Sequence, residues 1–519
     1  MLASGPDGQP LGERARRNTI SDAFRRSAER HGAKTALVFG ERSWSYRDLD
    51  RAVDRVAARL AASGLAAGDR VGAYGRNSDG YLILWLACTR AGLVHVPINY
   101  ALTGGELDYI VGQSRARALI RDSGLAATAD QVTGANPAIA LTGTFIGGGD
   151  FDVLDTALNG TDVVADADVA DTDLAQLLYT SGTTAAPKGA MMTHRALMAE
   201  YVSCMVELGF SGADKALAAL PLYHSAQMHV FTMPQLLVGA STILIEAPAP
   251  DLCLKLVEQH GITSFFAPPT VWISLLRHAD FDRRDLSALR HVFYGASIMP
   301  VPVLEELRRR LPAAQPFNCY GQSEIAPLAT VLRPEDHDAR PASAGRPVLQ
   351  VETRVVDADM RDVPPGTQGE IVHRSPQLMV GYWDKPEETA EAFAGGWFHS
   401  GDVGVLDDEG YLYVVDRVKD VIKTGGVIVA SREVEEALFT HPAVSEVAVI
   451  ATPDPKWIEA VTAIVVLRQG ESADAEALIA HCRARLAPFK VPKRVLFRAD
   501  LPRNTAGKVL KRELRDAHA

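Results

Sequence analysis

The sequence lacks several features that would place it in a common class of protein. Only five of its 519 residues are cysteine, and no two of them form a C-x-x-C pair. An odd number of scattered cysteines supports neither a disulfide framework nor a zinc site, so we expect buried thiols in a reducing compartment. These residues are Cys88, Cys204, Cys253, Cys319 and Cys482.

Long apolar runs and clustered positive charge are also missing. The most apolar early stretch, residues 81–88, is stopped by Arg90 well short of a membrane-spanning length. The net charge is −11 with no extended basic tract, which argues against nucleic acid or an anionic membrane as the main partner. The first 17 residues have no apolar core of the kind that a signal peptide needs. We therefore expect a cytoplasmic protein.

What the sequence does contain is a repeated alternation of helix and strand patterns. Apolar spacing predicts helices over residues 20–31 and 46–63, the second capped by Ser45, and a strand over residues 70–74. Such alternation over a long chain predicts stacked α/β layers. Residues 134–167 are rich in Gly, Ala, Thr and Asp with weak periodicity, which predicts surface connections.

The length exceeds what one hydrophobic core supports, so we expect more than one structural unit. Residues 1–18 are predicted to be a disordered lead-in, and residues 19–416 a large N-terminal α/β domain. The character of the sequence changes near residue 416. Residues 417–519 are predicted to form a small domain of short strands and helices.

The strongest chemical signal is YTSGTTAAPKG at residues 179–189. An apolar strand end runs into a loop that is dense in glycine and hydroxyl groups and ends at Lys188. Such a loop can direct backbone N–H groups, hydroxyls and one ammonium toward phosphate oxygens. It does not satisfy the Walker A pattern, and composition alone leaves a polar surface turn as the alternative.

The loop resembles the phosphate-binding signature of the acyl-CoA synthetase and ligase superfamily of adenylate-forming enzymes. Six further segments resemble motifs of that family in the family's order, over nearly the whole chain. They are LPLYH at 220–224, YGAS at 294–297, YGQSE at 320–324, HSGD at 399–402, DRVKD at 416–420 and PRNTAGK at 502–508.

The resemblance implies a fold, a reaction and a set of roles. The fold is a large multi-layer α/β N-terminal domain, which binds ATP and the acid, and a small α+β C-terminal domain joined by a hinge at Lys419. The implied reaction uses ATP and Mg²⁺ to adenylate a fatty or aryl acid and then transfers the acyl group to CoA. The residues implied to bind nucleotide are Thr180, Ser181, Gly182, Thr183, Lys188, Gly295, Ala296, Ser297, Tyr320, Gly321, Ser323, Asp402 and Arg417.

Four residues are implied to take part in catalysis. Glu324 offers a hard oxygen to Mg²⁺, which prefers carboxylate and phosphate oxygens. Lys508 would stabilise the charge that develops as a carboxylate attacks the α-phosphate, and the family withdraws this lysine by domain rotation before the thioester step. Thr184 belongs to the phosphate loop, and His224 lines or gates the acid pocket.

Each of these residues also has a simpler interpretation. Glu324 could be a solvated surface residue, and Asp402 a turn former. Lys508 could be one more exposed cation of a basic tail, and Arg417 a member of a surface ion pair. A core histidine would account for His224 equally well.

Two positions depart from the family pattern. Ala185 stands where the family usually has glycine, which we regard as minor. Val427 and Ile428 replace a Glu-Asn pair beside the expected CoA tunnel, which removes hydrogen-bonding capacity.

Three hypotheses follow. The first is an acid–CoA ligase with a small-molecule acid substrate. The second is an adenylating enzyme with another acceptor such as an amine, including a diazotase acting on nitrite and an aryl amine. The third is a non-catalytic nucleotide-binding protein.

Overall fold

The computed structural model describes residues 13–163, 167–180, 186–417, 422–424, 427–454, 457–504 and 509–518. The strands in these ranges are β1 Thr35–Phe39, β2 Arg42–Ser45, β3 Arg70–Tyr74, β4 Val94–Ile98, β5 Ala116–Arg121, β6 Leu141–Thr144, β7 Leu174–Thr180, β8 Lys188–Thr193, β9 Lys215–Ala218, β10 Ser241–Leu244, β11 Ser264–Phe266, β12 His291–Gly295, β13 Gln315–Gly321, β14 Leu328–Leu332, β15 Arg346–Pro347, β16 Glu352–Val356, β17 Gly369–Arg374, β18 Phe398–Leu406, β19 Leu412–Arg417, β20 Ile422–Thr424, β21 Val427–Val429, β22 Val444–Asp454, β23 Ile458–Leu467 and β24 Arg494–Phe497.

A π-helical segment, Ala226–Thr232, precedes α9. The α-helices of the same ranges are α1 Glu13–Arg16, α2 Ile20–His31, α3 Tyr46–Ala62, α4 Asp79–Ala91, α5 Gly104–Gln113, α6 Ala126–Ala135, α7 Val153–Asn159, α8 His194–Glu207, α9 Met233–Val238, α10 Pro250–His260, α11 Pro269–Arg277, α12 Val301–Arg310, α13 Pro386–Ala392, α14 Ser431–Phe439, α15 Ala475–Arg483 and α16 Lys511–Asp516.

The strands form four sheets, and the two largest carry the predicted nucleotide motifs. A nine-stranded sheet has the order β15-β14-β13-β12-β11-β9-β10-β1-β2, and a six-stranded sheet has the order β6-β5-β3-β4-β7-β8. Both are mostly parallel, with antiparallel pairs at their edges. A four-stranded sheet, β16-β17-β18-β19, follows. The last sheet, β21-β20-β23-β22 with β24 on β23, belongs to the C-terminal part of the chain. The predicted class, a multi-layer α/β fold followed by a smaller α+β unit, is confirmed.

Helix α4 shows why the apolar stretch at residues 81–88 is not a membrane segment. Nearly all of its 13 residues are buried, including Tyr81 and Trp85. A helix that is apolar on all sides belongs inside the protein, and this one packs against α2, α3 and α7. Among the helices in the described part of the chain, none has the length and apolar character to cross a membrane.

Local signals in the sequence predicted several elements correctly. Helix α2 spans Ile20–His31 and strand β3 spans Arg70–Tyr74, as predicted. Ser45 caps α3, because its side chain accepts a hydrogen bond from the backbone N–H of Asp48. All five cysteines are buried free thiols, which also agrees with expectation.

The prediction of surface connections over residues 134–167 is wrong for Leu141–Thr144 and Val153–Asn159, which form β6 and α7. Strand β6 adds to β5 in parallel, and α7 begins after Asp152, whose carboxylate caps the helix. The apolar residues of this segment are few, but Phe145, Phe151 and Val153 are all buried. Single buried side chains of this kind anchor an element without producing a periodic pattern.

The predicted disordered lead-in also needs correction. Glu13–Arg16 form one turn of helix, and Arg17 pairs with Asp22 at 2.9 Å. The carboxylate of Asp22 also caps α2 together with Thr19. The lead-in prediction therefore fails for residues 13–18, and residues 1–12 lie outside the described ranges.

Candidate active site

The predicted phosphate loop connects two neighbouring antiparallel strands. Thr180 ends β7 and Lys188 begins β8, and the two residues are register partners. Tyr179 and Gly189 form the next pair. The loop is therefore held at both ends by a strand ladder at the edge of the six-stranded sheet. Ser181, Gly182, Thr183, Thr184 and Ala185 lie outside the described residues.

Four side chains from three distant segments meet at this edge. Glu324 is buried, with 8% of its surface exposed. Its Oε1 accepts one hydrogen bond from the hydroxyl of Thr180 at 3.2 Å and another from the phenol of Tyr382 at 3.1 Å. The ammonium of Lys188 lies 4.2 Å from the centroid of the Tyr382 ring. A carboxylate and an ammonium thus flank the ends of the loop.

Backbone hydrogen bonds hold Glu324 in this position. It lies in a short turn, Ser323–Ile325, that follows β13. The N–H of Met379 donates to the carbonyl of Glu324 at 2.8 Å. The hydroxyl of Ser323 lies 2.9 Å from that of Ser225, which precedes the π-helical segment. The predicted nucleotide motif and the segment after His224 are therefore in direct contact.

A buried polar pair supports the same turn from behind. The amide of Gln377 donates to the carbonyl of Leu328 at 3.0 Å and to the carboxylate of Glu200 at 2.5 Å. Glu200 also accepts from the N–H of Leu328 at 3.0 Å. Complete burial raises the pKa of the Glu200 carboxyl well above its ordinary value.

The donor set around Glu324 fits a magnesium ion. Among the described residues, no group of three or more His, Cys, Asp or Glu could hold a metal ion by itself. Mg²⁺ is commonly held by one or two carboxylates together with phosphate oxygens and water, so a single carboxylate beside a phosphate loop suffices. The hydroxyl of Thr180 adds a further hard oxygen at the same place.

The predicted adenine wall follows the end of β12. A Cβ atom on Gly295 would lie 2.2 Å from the carbonyl oxygen of Cys319, so β12 and β13 approach too closely for any side chain there. Ala296 has a φ of 62°, a left-handed conformation that is uncommon for a residue with a side chain. Ala296 is exposed and Ser297 is half-buried. The strained turn presents both residues at the carboxyl end of the strand, where α/β sheets usually bind ligands.

The predicted ribose contact lies on the four-stranded sheet. Asp402 lies in β18 with 5% of its surface exposed, and its Oδ2 accepts a hydrogen bond from the phenol of Tyr320 at 2.8 Å. Two motifs that are 82 residues apart in the sequence are thus joined directly. Gly321 follows Tyr320, and a Cβ on it would lie 1.8 Å from the carbonyl oxygen of Pro327.

We expect Asp402→Asn to raise the KM for ATP by about tenfold, since a charge-assisted hydrogen bond to a ribose hydroxyl is worth about 1.5 kcal/mol or more. The KM for the acid should change little. Steady-state kinetics with each substrate varied in turn would measure both values. Asp408→Asn, at an exposed position on the next turn, is the matched control. An unchanged KM for ATP in Asp402→Asn would contradict the ribose assignment.

The remaining predicted residues are His224, Arg417, Lys419 and Lys508, and the structure describes only part of this set. His224 is half-buried, and its backbone N–H donates to the carbonyl of Pro221 at 3.1 Å. Arg417 ends β19 as the register partner of Asp402, and its side chain lies outside the described part of the chain. Lys419 and Lys508 also lie outside it.

The departure at Val427 and Ile428 falls on β21, which pairs with β20 in antiparallel register. The backbone of this segment is part of a sheet, with Thr424 opposite Val427. The side chains at both positions lie outside the described residues.

Sequence reasoning missed Tyr382, although it contacts two of the predicted residues. Its signal was modest: Gly381, Tyr382 and Trp383 follow an apolar pair and precede the proline that starts α13. An aromatic residue in this context gives no indication of which strand it joins. Gln377 and Glu200 were missed because a polar residue outside any recognised motif gives no indication of its distant partner.

Comparison with known proteins agrees with this geometry. Residues 24–383 match the family of AMP-binding enzymes, and residues 433–508 match the AMP-binding enzyme C-terminal domain. A feruloyl-CoA synthase from an Amycolatopsis species is 39% identical over 484 residues, covering 93% of this chain and 95% of the relative. A long-chain-fatty-acid–CoA ligase from Escherichia coli is 33% identical over 96% of this chain and 95% of its own.

One of the similar solved structures is named as an amide bond synthetase and not as a CoA ligase. The amide bond synthetase McbA from Marinactinospora thermotolerans superposes with a TM-score of 0.87 at 28% sequence identity. The match covers 97% of this chain for a variant of that enzyme and 96% for the unmodified one.

Proposed function

This chain belongs to the AMP-binding enzyme family and is an ATP-dependent acid–CoA ligase, and on that premise we propose that it activates an aryl-substituted carboxylic acid of the feruloyl type. The proposed reaction has two steps. A carboxylate oxygen bonds to the α-phosphorus of ATP while the bond to pyrophosphate breaks. The sulfur of CoA then bonds to the acyl carbon while the bond to AMP breaks.

The observation that carries the proposal is the cluster of Thr180, Lys188, Glu324 and Tyr382 at the ends of the phosphate loop. Lys188 would bind phosphate oxygens as a compact positive charge. Glu324 would hold Mg²⁺, which when bound neutralises phosphate charge. Asp402, supported by Tyr320, would fix the ribose, and these contacts together would orient the α-phosphate toward the acid.

The choice of acid rests on the comparisons. The feruloyl-CoA synthase has a higher identity to this chain than the long-chain-fatty-acid–CoA ligase does, at nearly equal coverage. A hydroxycinnamate such as ferulate is therefore the first acid to test. A long-chain fatty acid is the second class.

A second candidate function has a specific observation in its favour. Val427 and Ile428 stand where the resemblance leads us to expect polar residues beside the CoA tunnel, and an amide bond synthetase has the same fold over nearly the whole chain. An acyl adenylate attacked by an amine would give an amide and AMP. Nitrite passed to an aryl amine is the remaining variant of this class.

The experiment is a pyrophosphate-release assay with ATP and Mg²⁺, over ferulate, cinnamate, benzoate, palmitate and nitrite. Each acid is tested alone, with CoA and with an aryl amine, and products are identified by mass spectrometry. We expect ferulate-dependent release and conversion of CoA to its feruloyl thioester. Pyrophosphate release that occurs with palmitate but with none of the aryl acids would contradict the proposal of an aryl substrate. An amide or a diazo product with no thioester would support the second function instead.

A further inference from the structure

Tyr382 lies on a short extended segment that continues the edge of the six-stranded sheet beyond β8. Its backbone forms an isolated bridge with Ala190. The N–H of Trp383 donates to the carbonyl of Gly189 at 2.8 Å, and the N–H of Met191 donates to the carbonyl of Gly381 at 2.9 Å. The segment is thus fixed directly beside the strand that begins with Lys188.

The side chains around this segment hold it in place as well. The N–H of Tyr382 donates to the hydroxyl of Thr389 at 2.9 Å. The indole of Trp383 donates to the carbonyl of Gln113 at 3.1 Å, and the amide of Gln113 donates to the carbonyl of Trp383 at 2.9 Å. Only 7% of Tyr382 is exposed. A side chain anchored in this way has little freedom to leave its neighbours.

The ring of Tyr382 contacts two groups of opposite charge. Its hydroxyl donates to Oε1 of Glu324 at 3.1 Å, and its face lies 4.2 Å from the ammonium of Lys188. A phenol ordinarily loses its proton only at about pH 10, so at neutral pH the hydroxyl carries its proton. A protonated phenol can only donate to the carboxylate, which fixes the direction of that hydrogen bond.

We propose that Tyr382 is a positioning residue that holds Glu324 and Lys188 apart and aimed at the same triphosphate. This inference rests on the proposed roles of Glu324 and Lys188 in binding magnesium and phosphate. Without a spacer, an ammonium and a carboxylate this close would be expected to pair with each other. Lys188 begins the strand opposite Thr180, which bonds Glu324, yet its ammonium lies over the ring of Tyr382.

The two contacts of Tyr382 have separate consequences. The hydroxyl occupies Oε1 of Glu324 and orients the second oxygen, so its loss should weaken magnesium binding. The ring face stabilises the ammonium of Lys188 by a cation–π interaction, so its loss should weaken phosphate binding even without metal. Outer residues that orient a metal ligand typically change metal affinity by about 10–100-fold.

Two substitutions separate these contacts. Tyr382→Phe removes the hydroxyl and keeps the ring face, whereas Tyr382→Leu removes both. Equilibrium binding of ATP to the full-length protein, measured by calorimetry without acid or CoA, reports affinity without turnover. The titration is made in EDTA and over a series of Mg²⁺ concentrations. Tyr46→Phe is the matched control, because it also removes one buried phenol, which donates to the backbone carbonyls of Leu236 and Ala240.

We expect Tyr382→Phe to weaken the apparent Mg²⁺ affinity of the ATP complex about tenfold and to leave ATP affinity in EDTA unchanged. Tyr382→Leu should weaken both affinities, and Tyr46→Phe should weaken neither. Thermal unfolding identifies any variant that fails to fold, and Tyr382→Phe, with the ring retained, is the variant least exposed to that failure.

The outcomes distinguish this inference from the function on which it rests. If Glu324→Gln loses magnesium dependence but Tyr382→Phe does not, the role of the hydroxyl is wrong while the role of Glu324 stands. If Glu324→Gln keeps its magnesium dependence, the proposed metal site is wrong. The ring contact is judged independently of magnesium: equal ATP affinity of Tyr382→Phe and Tyr382→Leu in EDTA would overturn it.

Discussion

Replacing Lys508 by alanine is expected to lower the rate of acid-dependent pyrophosphate release by about 10²–10³-fold. Removing one preorganised positive group from a site where charge develops in the transition state typically costs this much. The KM for ATP should change less than the turnover number, because the interaction strengthens as the carboxylate reaches phosphorus. Single-turnover release of pyrophosphate in a quenched-flow instrument measures the step.

The chain on either side of Lys508 has a fixed attachment. Arg503 forms a backbone bridge with Val509, and the N–H of Leu510 donates to the carbonyl of Pro502 at 2.8 Å. Lys511 then pairs with Glu435 at 2.8 Å and donates to the hydroxyl of Ser431. The described residues that follow position 508 are thus attached to α14.

The second half-reaction provides the internal control for Lys508→Ala. Because the resemblance implies that the lysine is withdrawn before the thioester step, chemically prepared acyl adenylate and CoA should react at a nearly unchanged rate. Arg512→Ala removes a neighbouring exposed cation, 62% exposed, and should affect neither step. Equal losses in the two variants would mean that Lys508 is merely one cation of a basic tail.

Replacing Glu324 by glutamine is expected to lower kcat/KM for ATP by roughly 10²–10³-fold. Stabilisation of transition-state charge by a bound metal ion is worth several kcal/mol, and each 1.4 kcal/mol is a factor of ten. The glutamine oxygen can still accept the hydrogen bonds from Thr180 and Tyr382, so the substitution removes the charge and preserves the local structure. Initial rates over a wide range of Mg²⁺ concentrations measure the effect.

Loss of a buried carboxylate could also act through stability, and Asp214→Asn controls for this. The Asp214 side chain is 1% exposed, accepts from the N–H of Ser211 at 2.7 Å and pairs with Arg290 at 3.1 Å, away from the site. The Asp214→Asn substitution should lower the unfolding temperature of the protein without changing the Mg²⁺ dependence of its activity. A Glu324→Gln variant that behaves in the same way would have lost stability only, and the metal assignment would fail.

Local chemistry explains what the sequence predicted well. Ser45 caps α3 through its own side chain, and Thr19 with Asp22 forms a capping box at the start of α2. These signals depend on residues within one helical turn, so they can be recognised without knowing the fold. The α/β alternation needs only such local information as well.

The site depends on contacts between distant segments, which local patterns do not contain. Tyr382 bonds Glu324 across 58 residues, and Tyr320 bonds Asp402 across 82. Ordered motifs indicated which segments to consider, but they gave no register between those segments. Gln377 and Glu200, 177 residues apart, have no motif at all and could be found only in the structure.

The error over residues 134–167 has a related cause. Strand β6 is four residues long and includes two threonines and a glycine, so it lacks a recognisable period. It is a strand because Leu119 and Ile120 of β5 provide a parallel partner. Tertiary pairing overrides weak local preference in such short edge strands.

A crystal structure of the protein with Mg²⁺ and a non-hydrolysable ATP analogue would test the assignment of this cluster as the adenylation site most directly. We expect triphosphate density between Lys188 and Glu324, the metal on Glu324, and the ribose hydroxyls on Asp402. The adenine would lie against Gly295, Ala296 and Ser297. Nucleotide bound elsewhere, or bound here with the metal away from Glu324, would contradict the assignment of this cluster as the adenylation site.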